Sequence, residues 1–183
     1  LTFMHAHTDE LYNRPAVYKR LGFDELYFRD SFPKDAEIRG DYISDRAFAD
    51  KVIELYEARD PEQPFMMMSV TMENHQPSYE GKFEPDADIP FEAPTLDAAG
   101  RAIFRSYLTG VNDADASLGQ LVDYFSQVDR PVMLIFWGDH LPSMAVNNNE
   151  TVFSQLGVYE SPASITWSTE QLKTMLTTDY LVW

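Results

Sequence analysis

The sequence predicts an α/β fold, a mostly parallel sheet sandwiched by helices. Three observations lead there. Apolar runs too short for helices recur along the chain, at residues 64–71 (PFMMMSVT) and 131–137 (PVMLIFW). Longer amphipathic stretches separate them, so strand-like and helix-like segments alternate. The runs are continuous rather than alternating, which is the pattern of strands buried on both faces. The run 131–137 is expected to be the central, fully buried strand. It stops abruptly at Gly138, Asp139, His140, Leu141 and Pro142.

Each element has its own local reason. If residues 1–11 contain a first strand, Phe3, His5 and His7 share a face of it, because side chains alternate along a strand. Residues 12–22 read as a short helix: Asn13 is its N-cap, Pro15 lies in the first turn and Gly22 closes it. Residues 23–28 (FDELYF) form a second short strand, and 29–40 a polar loop punctuated by Ser31 and Pro33. Residues 42–59 make an amphipathic helix, capped by Ser44 or Asp45, with Phe48, Val52, Leu55 and Tyr56 on one stripe. Pro61 and Pro64 end it. The run 64–71 then delivers Glu73, Asn74, His75 and Gln76 at its carboxyl end. Residues 79–94 are rich in proline and acid and read as a surface loop. Residues 96–128 are helical, with a break expected near Gly110. Beyond the central strand, 141–168 read as irregular, marked by the NNNE of 147–150 and by Ser161 and Pro162. Ser168 caps a helix over 169–175, and 179–183 are the last strand. There is no internal repeat.

Composition narrows the classes. The 183 residues suffice for one domain with a real core. A hydrophobic content of 44% and an aromatic content of 14% exclude general disorder. The formal net charge of −16 argues against nucleic acid as a partner, since that needs basic stripes. With no cysteine there is no disulfide, thiolate nucleophile or cysteine-type zinc site. That is compatible with an exported bacterial protein. No apolar run approaches the roughly 20 residues of a membrane helix, and none reads as a signal peptide. The chain opens on Leu1 and closes within a strand-like run, so it is expected to be a piece of a longer protein.

Ligands of open α/β sheets gather beyond the carboxyl ends of the strands, which is where Asp139 and His140 fall. A carboxylate and an imidazole together suit a divalent cation such as Mn2+ or Zn2+. The alternative is a turn-capping aspartate beside a surface histidine. Both residues reach one ion only if the strand has ended by Asp139, as Gly138 and Pro142 favour. Of the four histidines, His75 follows the 64–71 run, while His5 and His7 precede the first helix. Several imidazoles converging on one sheet edge point to a site rather than to scatter.

Five motifs stand out: His5 followed by Tyr12, Asn13 and Arg14; residues 18–24 (YKRLGFD); residues 73–77 (ENHQP); residues 115–119 (DASLG); and Gly138, Asp139 and His140. Together they resemble the extracellular catalytic domain of lipoteichoic acid synthases and related phosphoglycerol transferases. That group lies in the sulfatase-like branch of the alkaline phosphatase superfamily. The resemblance runs from His5 to about His140 and more loosely to Trp183. It implies that Asp139 and His140 are metal ligands, with Mn2+ the usual ion or another divalent cation in its place. It implies that His75 contacts the phosphoglycerol group or protonates the leaving oxygen, and that His5 and Arg14 bind the substrate. Tyr12 would border the pocket. Physical chemistry agrees: an arginine fork pairs with phosphate oxygens, a histidine can protonate an alkoxide near neutral pH, and a cation offsets phosphodiester charge.

The family's nucleophilic threonine has no match in this chain. Nor does the Cys/Ser-x-Pro-x-Arg pattern of sulfatases, since Ser31 to Asp35 (SFPKD) lacks the arginine. The resemblance therefore implies that residues 1–183 are the C-terminal portion of a sulfatase-like catalytic domain, incomplete and without its nucleophile. The isolated chain is expected to be inactive. The parent would act on a phosphoglycerol-bearing lipid or polymer, at the extracellular face of the bacterial cytoplasmic membrane, anchored through a part not in this chain. Two alternatives stay open: a sulfatase or phosphodiesterase acting on another ester, and a non-catalytic module that binds glycerol phosphate.

Overall fold

The structure, a computed structural model, describes residues 1–84, 87–160 and 166–183. It is a mixed α/β fold with a parallel sheet and helices. Its contacts divide the chain into two compact units. One is Leu1–Glu73 with Asp113–Tyr124, and the other is Asn74–Asn112 with Phe125–Trp183.

The first unit is built on β1 (Thr2–His5), flanked in parallel by β2 (Glu25–Tyr27) and β5 (Met67–Val70). A strand covered on both faces can be apolar at every position, and Phe3 and Met4 are both 0% exposed. Their side chains leave on opposite faces. Phe3 packs with Phe23 and Phe28 and stacks on Tyr18 of α1 (Arg14–Arg20), centroids 3.5 Å apart. Met4 packs with Ala6, Phe32, Ile43, Met72 and Phe48 of α2 (Asp45–Ala58). The sheet therefore has a helix against each face.

Local chemistry sets the boundaries here. The first strand stops at His5, so His7 lies outside it and the expected face shared by Phe3, His5 and His7 ends one residue pair early. The supposed loop 29–40 contains β3 (Ile38–Arg39), which pairs antiparallel with β4 (Tyr42–Ile43). That pairing removes Tyr42 from the helix. Ser44 is then the N-cap, its Oγ accepting the Ala47 N–H at 3.0 Å. The second half of α3 (Ala98–Phe125) lies along α2. Ser117 Oγ donates to the Asp45 carbonyl at 2.8 Å, and Gln120 Nε2 to Asp50 at 2.6 Å.

The second unit holds the first half of α3, the hairpin of β7 (Ala145–Asn147) and β8 (Glu150–Thr151), α4 (Val152–Gln155), α5 (Thr169–Leu176), and a ribbon of β6 (Ile135–Trp137) with β9 (Tyr180–Val182). Its core gathers Ala93, Leu96, Ile103, Met144 and Val152. Ser168 caps α5 as expected, accepting the Gln171 N–H at 3.2 Å. The segment 141–160 is more regular than the sequence suggests, because polar residues of the hairpin satisfy one another: Asn147 Nδ2 donates to Glu150 at 2.8 Å. Ser161 and Pro162 lie outside the described residues. So do residues 85 and 86 of the supposed surface loop 79–94. That loop nonetheless buries Phe83, Lys82 and Ala93.

Two further expectations are corrected. Helix α3 runs unbroken through Gly110. A Cβ there would fall 2.2 Å from Asn74 Oδ1, so the glycine serves close packing rather than a break. The run 131–137 is not a fully buried central strand. Only 135–137 are strand, paired antiparallel with β9 (Ile135 with Val182, Trp137 with Tyr180). Ile135, Phe136 and Trp137 are 51%, 40% and 48% exposed. Apolarity states a preference for burial but does not supply the covering layer.

Candidate functional site

In the first unit, three predicted residues meet on the connection from β1 to α1. His5 is buried at the end of β1, and its Nδ1 accepts the His7 N–H at 3.1 Å. The Thr8 hydroxyl lies 3.3 Å from His7 Nδ1. Arg14 Nη1 donates to the Thr8 carbonyl at 2.6 Å. A chain of hydrogen bonds thus couples His5 to Arg14. Arg14 is the first residue of α1, set there by Tyr12 and Asn13, both with positive φ (59° and 51°). The tight left-handed turn explains why Asn13 marks the helix start without making a side-chain cap. Tyr12 is 85% exposed, and the Arg14 guanidinium sits 5.6 Å from its ring centre. A buried guanidinium that spends one donor on a carbonyl keeps the rest of its fork for an anion.

In the second unit, the loop of His75 is tied to the loop that carries Asp139 and His140. Asn74 rests on α3, its Nδ2 donating to the Tyr107 carbonyl at 3.5 Å in the space Gly110 leaves. His75 Nδ1 lies 2.8 Å from the Gln76 carbonyl. Gln76 Oε1 accepts the Ser143 N–H at 3.1 Å, which ties the loop of His75 to the loop of His140. Asp139 Oδ1 and His140 Nε2 stand 3.9 Å apart, both exposed. His140 Nδ1 is 2.9 Å from the Leu141 carbonyl. If that nitrogen carries the proton, Nε2 is left as the ligating atom. A carboxylate oxygen and an imidazole nitrogen on one open side fit a divalent cation as two ligands of a larger shell. Among the described residues no group of three or more His, Cys, Asp or Glu completes such a shell.

Beside His140 lies a cavity of about 370 Å³, lined in part by Gln76, Ser143, Phe153, Tyr159 and Trp167. Its aromatic wall fell in the stretch read as irregular. No periodicity could have flagged it, because the rings come from separate short elements.

Sequence reasoning also passed over two buried carboxyls of the first unit. The sequence marks Asp45 only as a possible cap and Glu73 only as part of a motif. Both are almost wholly buried, and Glu73 Oε2 accepts the Asp45 N–H. Asp45 Oδ1 and Glu73 Oε1 have no hydrogen-bond partner among the described residues. Burial pushes the Asp45 carboxyl up to about 6. It raises that of Glu73 too, with the charges of Asp45 and Asp113 adding to the shift. The signal available in the sequence was an acid directly behind an apolar run.

The chain belongs to the sulfatase family, whose model matches residues 1–180. It is 32% identical over 181 residues to a candidate cyclic beta-1,2-glucan modification protein of Rhizobium meliloti (strain 1021), covering 98% of this chain and 27% of that protein. It is 29% identical over 143 residues to the capsular polysaccharide biosynthesis protein RkpI of the same organism, covering 76% of this chain and 23% of RkpI. The chain thus spans about a quarter of the length of these curated relatives. Among solved structures, the Streptococcus pyogenes phosphoglycerol transferase GacH, in complex with sn-glycerol-1-phosphate, aligns with a TM-score of 0.73 at 22% identity, over 100% of this chain and 42% of GacH. The lipoteichoic acid synthase LtaP of Listeria monocytogenes aligns with a TM-score of 0.61 at 24% identity, over 76% of this chain and 33% of LtaP. These likenesses, each under 25% identical, show a shared fold. No helix among the described residues is long and apolar enough to cross a membrane.

Proposed function

We propose that the chain is the C-terminal portion of a metal-assisted catalytic domain that transfers phosphoglycerol from a lipid head group to a glycan, at the outer face of a bacterial membrane. The observation that carries this is the open pair of Asp139 and His140 beside the His75 loop, just past the end of β6 at Trp137. A glycan acceptor is favoured over a lipid-linked polymer because both curated relatives bear names from polysaccharide modification or synthesis.

In this reading Asp139 and His140 hold a divalent cation, Mn2+ by family resemblance. When bound, the cation offsets the negative charge that accumulates on the phosphoryl oxygens. Arg14 pairs with the phosphate through its fork, and His5 orients the connection that presents Arg14. Tyr12 borders the glycerol. His75 gives a proton to the oxygen that leaves phosphorus, so the diacylglycerol departs as an alcohol rather than an alkoxide. The nucleophile, a threonine by resemblance, lies outside this chain, and covalent capture of phosphoglycerol on it splits the transfer into two steps.

The test uses the full-length protein and phosphatidylglycerol. Asp139→Ala and His140→Ala should each lower cation-dependent release of diacylglycerol by about 100-fold or more and weaken Mn2+ binding in calorimetry. Full turnover in either variant removes the pair from the site. Arg14→Ala should raise KM about tenfold through a lost charge-assisted pair. An unchanged KM ends that role.

A further inference from the structure

The cavity beside His140 has a chemistry that the transfer step does not use. Tyr159 and Trp167 are stacked, centroids 4.8 Å apart and planes at 25°. Phe153 also lines the cavity, 6.4 Å from Tyr159 and tilted by 42°. Tyr159 is buried, and its hydroxyl meets Thr151 Oγ1 at 2.5 Å, which fixes the ring. Trp167 is half-buried on this wall. The cavity is also lined by polar groups. Gln76 is held there by the Ser143 N–H, with His140 alongside. The volume of about 370 Å³ lies within the range of small-ligand sites.

Charge decides between ligand classes. Among the described lining residues none is Lys, Arg, Asp or Glu. An anion would find no cationic partner, and the net charge of −16 would repel it. A purely apolar ligand would bury the amide, hydroxyl and imidazole without partners, at a cost. A pyranose ring fits both walls. Its C–H faces stack on an indole or phenol ring, and its equatorial hydroxyls reach amide and imidazole groups.

We propose that this cavity is a subsite for a neutral sugar ring of the acceptor glycan, with Trp167 as its stacking platform and Gln76 as its polar rim. It rests on the reading of His140 as part of the transfer site, because the subsite would hold the accepting hydroxyl beside that residue.

The experiment is calorimetric titration of the full-length protein with sophorose, cellobiose and maltose, with glycerol 1-phosphate as competitor. At least one disaccharide should bind saturably in the millimolar range, and glycerol 1-phosphate should not displace it. Trp167→Ala should weaken that binding about tenfold, and Trp167→Phe should restore most of it. Circular dichroism checks the fold of each variant. Should Trp167→Ala not fold, Gln76→Ala at the rim should weaken the same binding. Three results overturn the subsite: no saturable binding of any of the three sugars, an unchanged affinity in folded Trp167→Ala, or displacement by glycerol 1-phosphate. The two readings fail separately. Sugar binding with full turnover in Asp139→Ala removes the transfer reading, whereas loss of that turnover without sugar binding removes only the subsite.

Discussion

Strands β1 and β6 are alike as sequences and opposite as structures. Both are short apolar runs that end at a histidine or an Asp-His pair. Strand β1 has a parallel neighbour on each edge and an aromatic or aliphatic cluster on each face. Strand β6 has, among the described residues, one antiparallel neighbour, β9, and leaves roughly half of each of its side chains in solvent. The difference shows that burial is conferred by neighbours. An apolar segment gains stability only from the layers placed over it.

The largest test of that contrast is a pair of truncations. Phe3→Ala should cost about 3–5 kcal/mol in chemical denaturation, because it empties a fully enclosed site. Phe136→Ala should cost less, about 1–2 kcal/mol, because 40% of that side chain already lies in solvent. Equal losses would mean that β6 is covered as β1 is. A second test uses the apolar surface of the ribbon. Ile135, Phe136, Leu181, Val182 and Trp183 are all exposed, and such a patch favours self-association. Replacing Phe136 and Leu181 with Thr should shift sedimentation profiles toward smaller species. An unchanged profile would show that the patch drives no association.

A third test concerns acids near the buried sheet. Asp45 and Glu73 have folded pKa values raised by burial. The sign follows from linkage: their stabilising state is the protonated one, fully present below the ordinary carboxylate range and lost as pH rises through the raised values. Stability should therefore fall on this account from acid toward pH 8. Glu73→Gln should leave Tm nearly unchanged at pH 5 and raise it at pH 8, by about 2–4 °C per kcal/mol of relieved charge burial. A Tm gain that is the same at both pH values would exclude ionisation as the cause. The smallest effects are the caps. Ser44→Ala on α2 and Ser168→Ala on α5 should each cost about 1 kcal/mol or less. A much larger loss at Ser44 would reflect its second contact, a 2.7 Å bond from its hydroxyl to Glu37.

Much of the fold is legible in the sequence alone. Alternating apolar runs and amphipathic stretches predicted α/β architecture, and Asn13, Ser44, Gly22 and Ser168 marked helix ends near where they occur. The candidate site was legible as a list of residues: His5, Tyr12, Arg14, His75, Asp139 and His140. Their local links were not. The chain from His5 through Thr8 to Arg14 depends on two consecutive positive-φ residues, and only one of them, Asn13, is a type that adopts such backbone readily. The bond from Ser143 to Gln76 joins residues 67 apart in sequence, and no local pattern encodes such a pairing. Gly110 was misread for the same reason, since its partner Asn74 is far away in the chain.

The sequence by itself determined the element types, most helix ends, the acidic balance, the lack of thiol chemistry and the residue types of the candidate site. These follow from propensity, periodicity and side-chain chemistry, which act within a few residues. Tertiary structure alone decided which apolar strand is enclosed, which carboxyls lose their water, and which rings line the cavity beside His140. Those outcomes arise from segments distant in the chain excluding solvent together, and solvent exclusion is a property of the packed set rather than of any one segment.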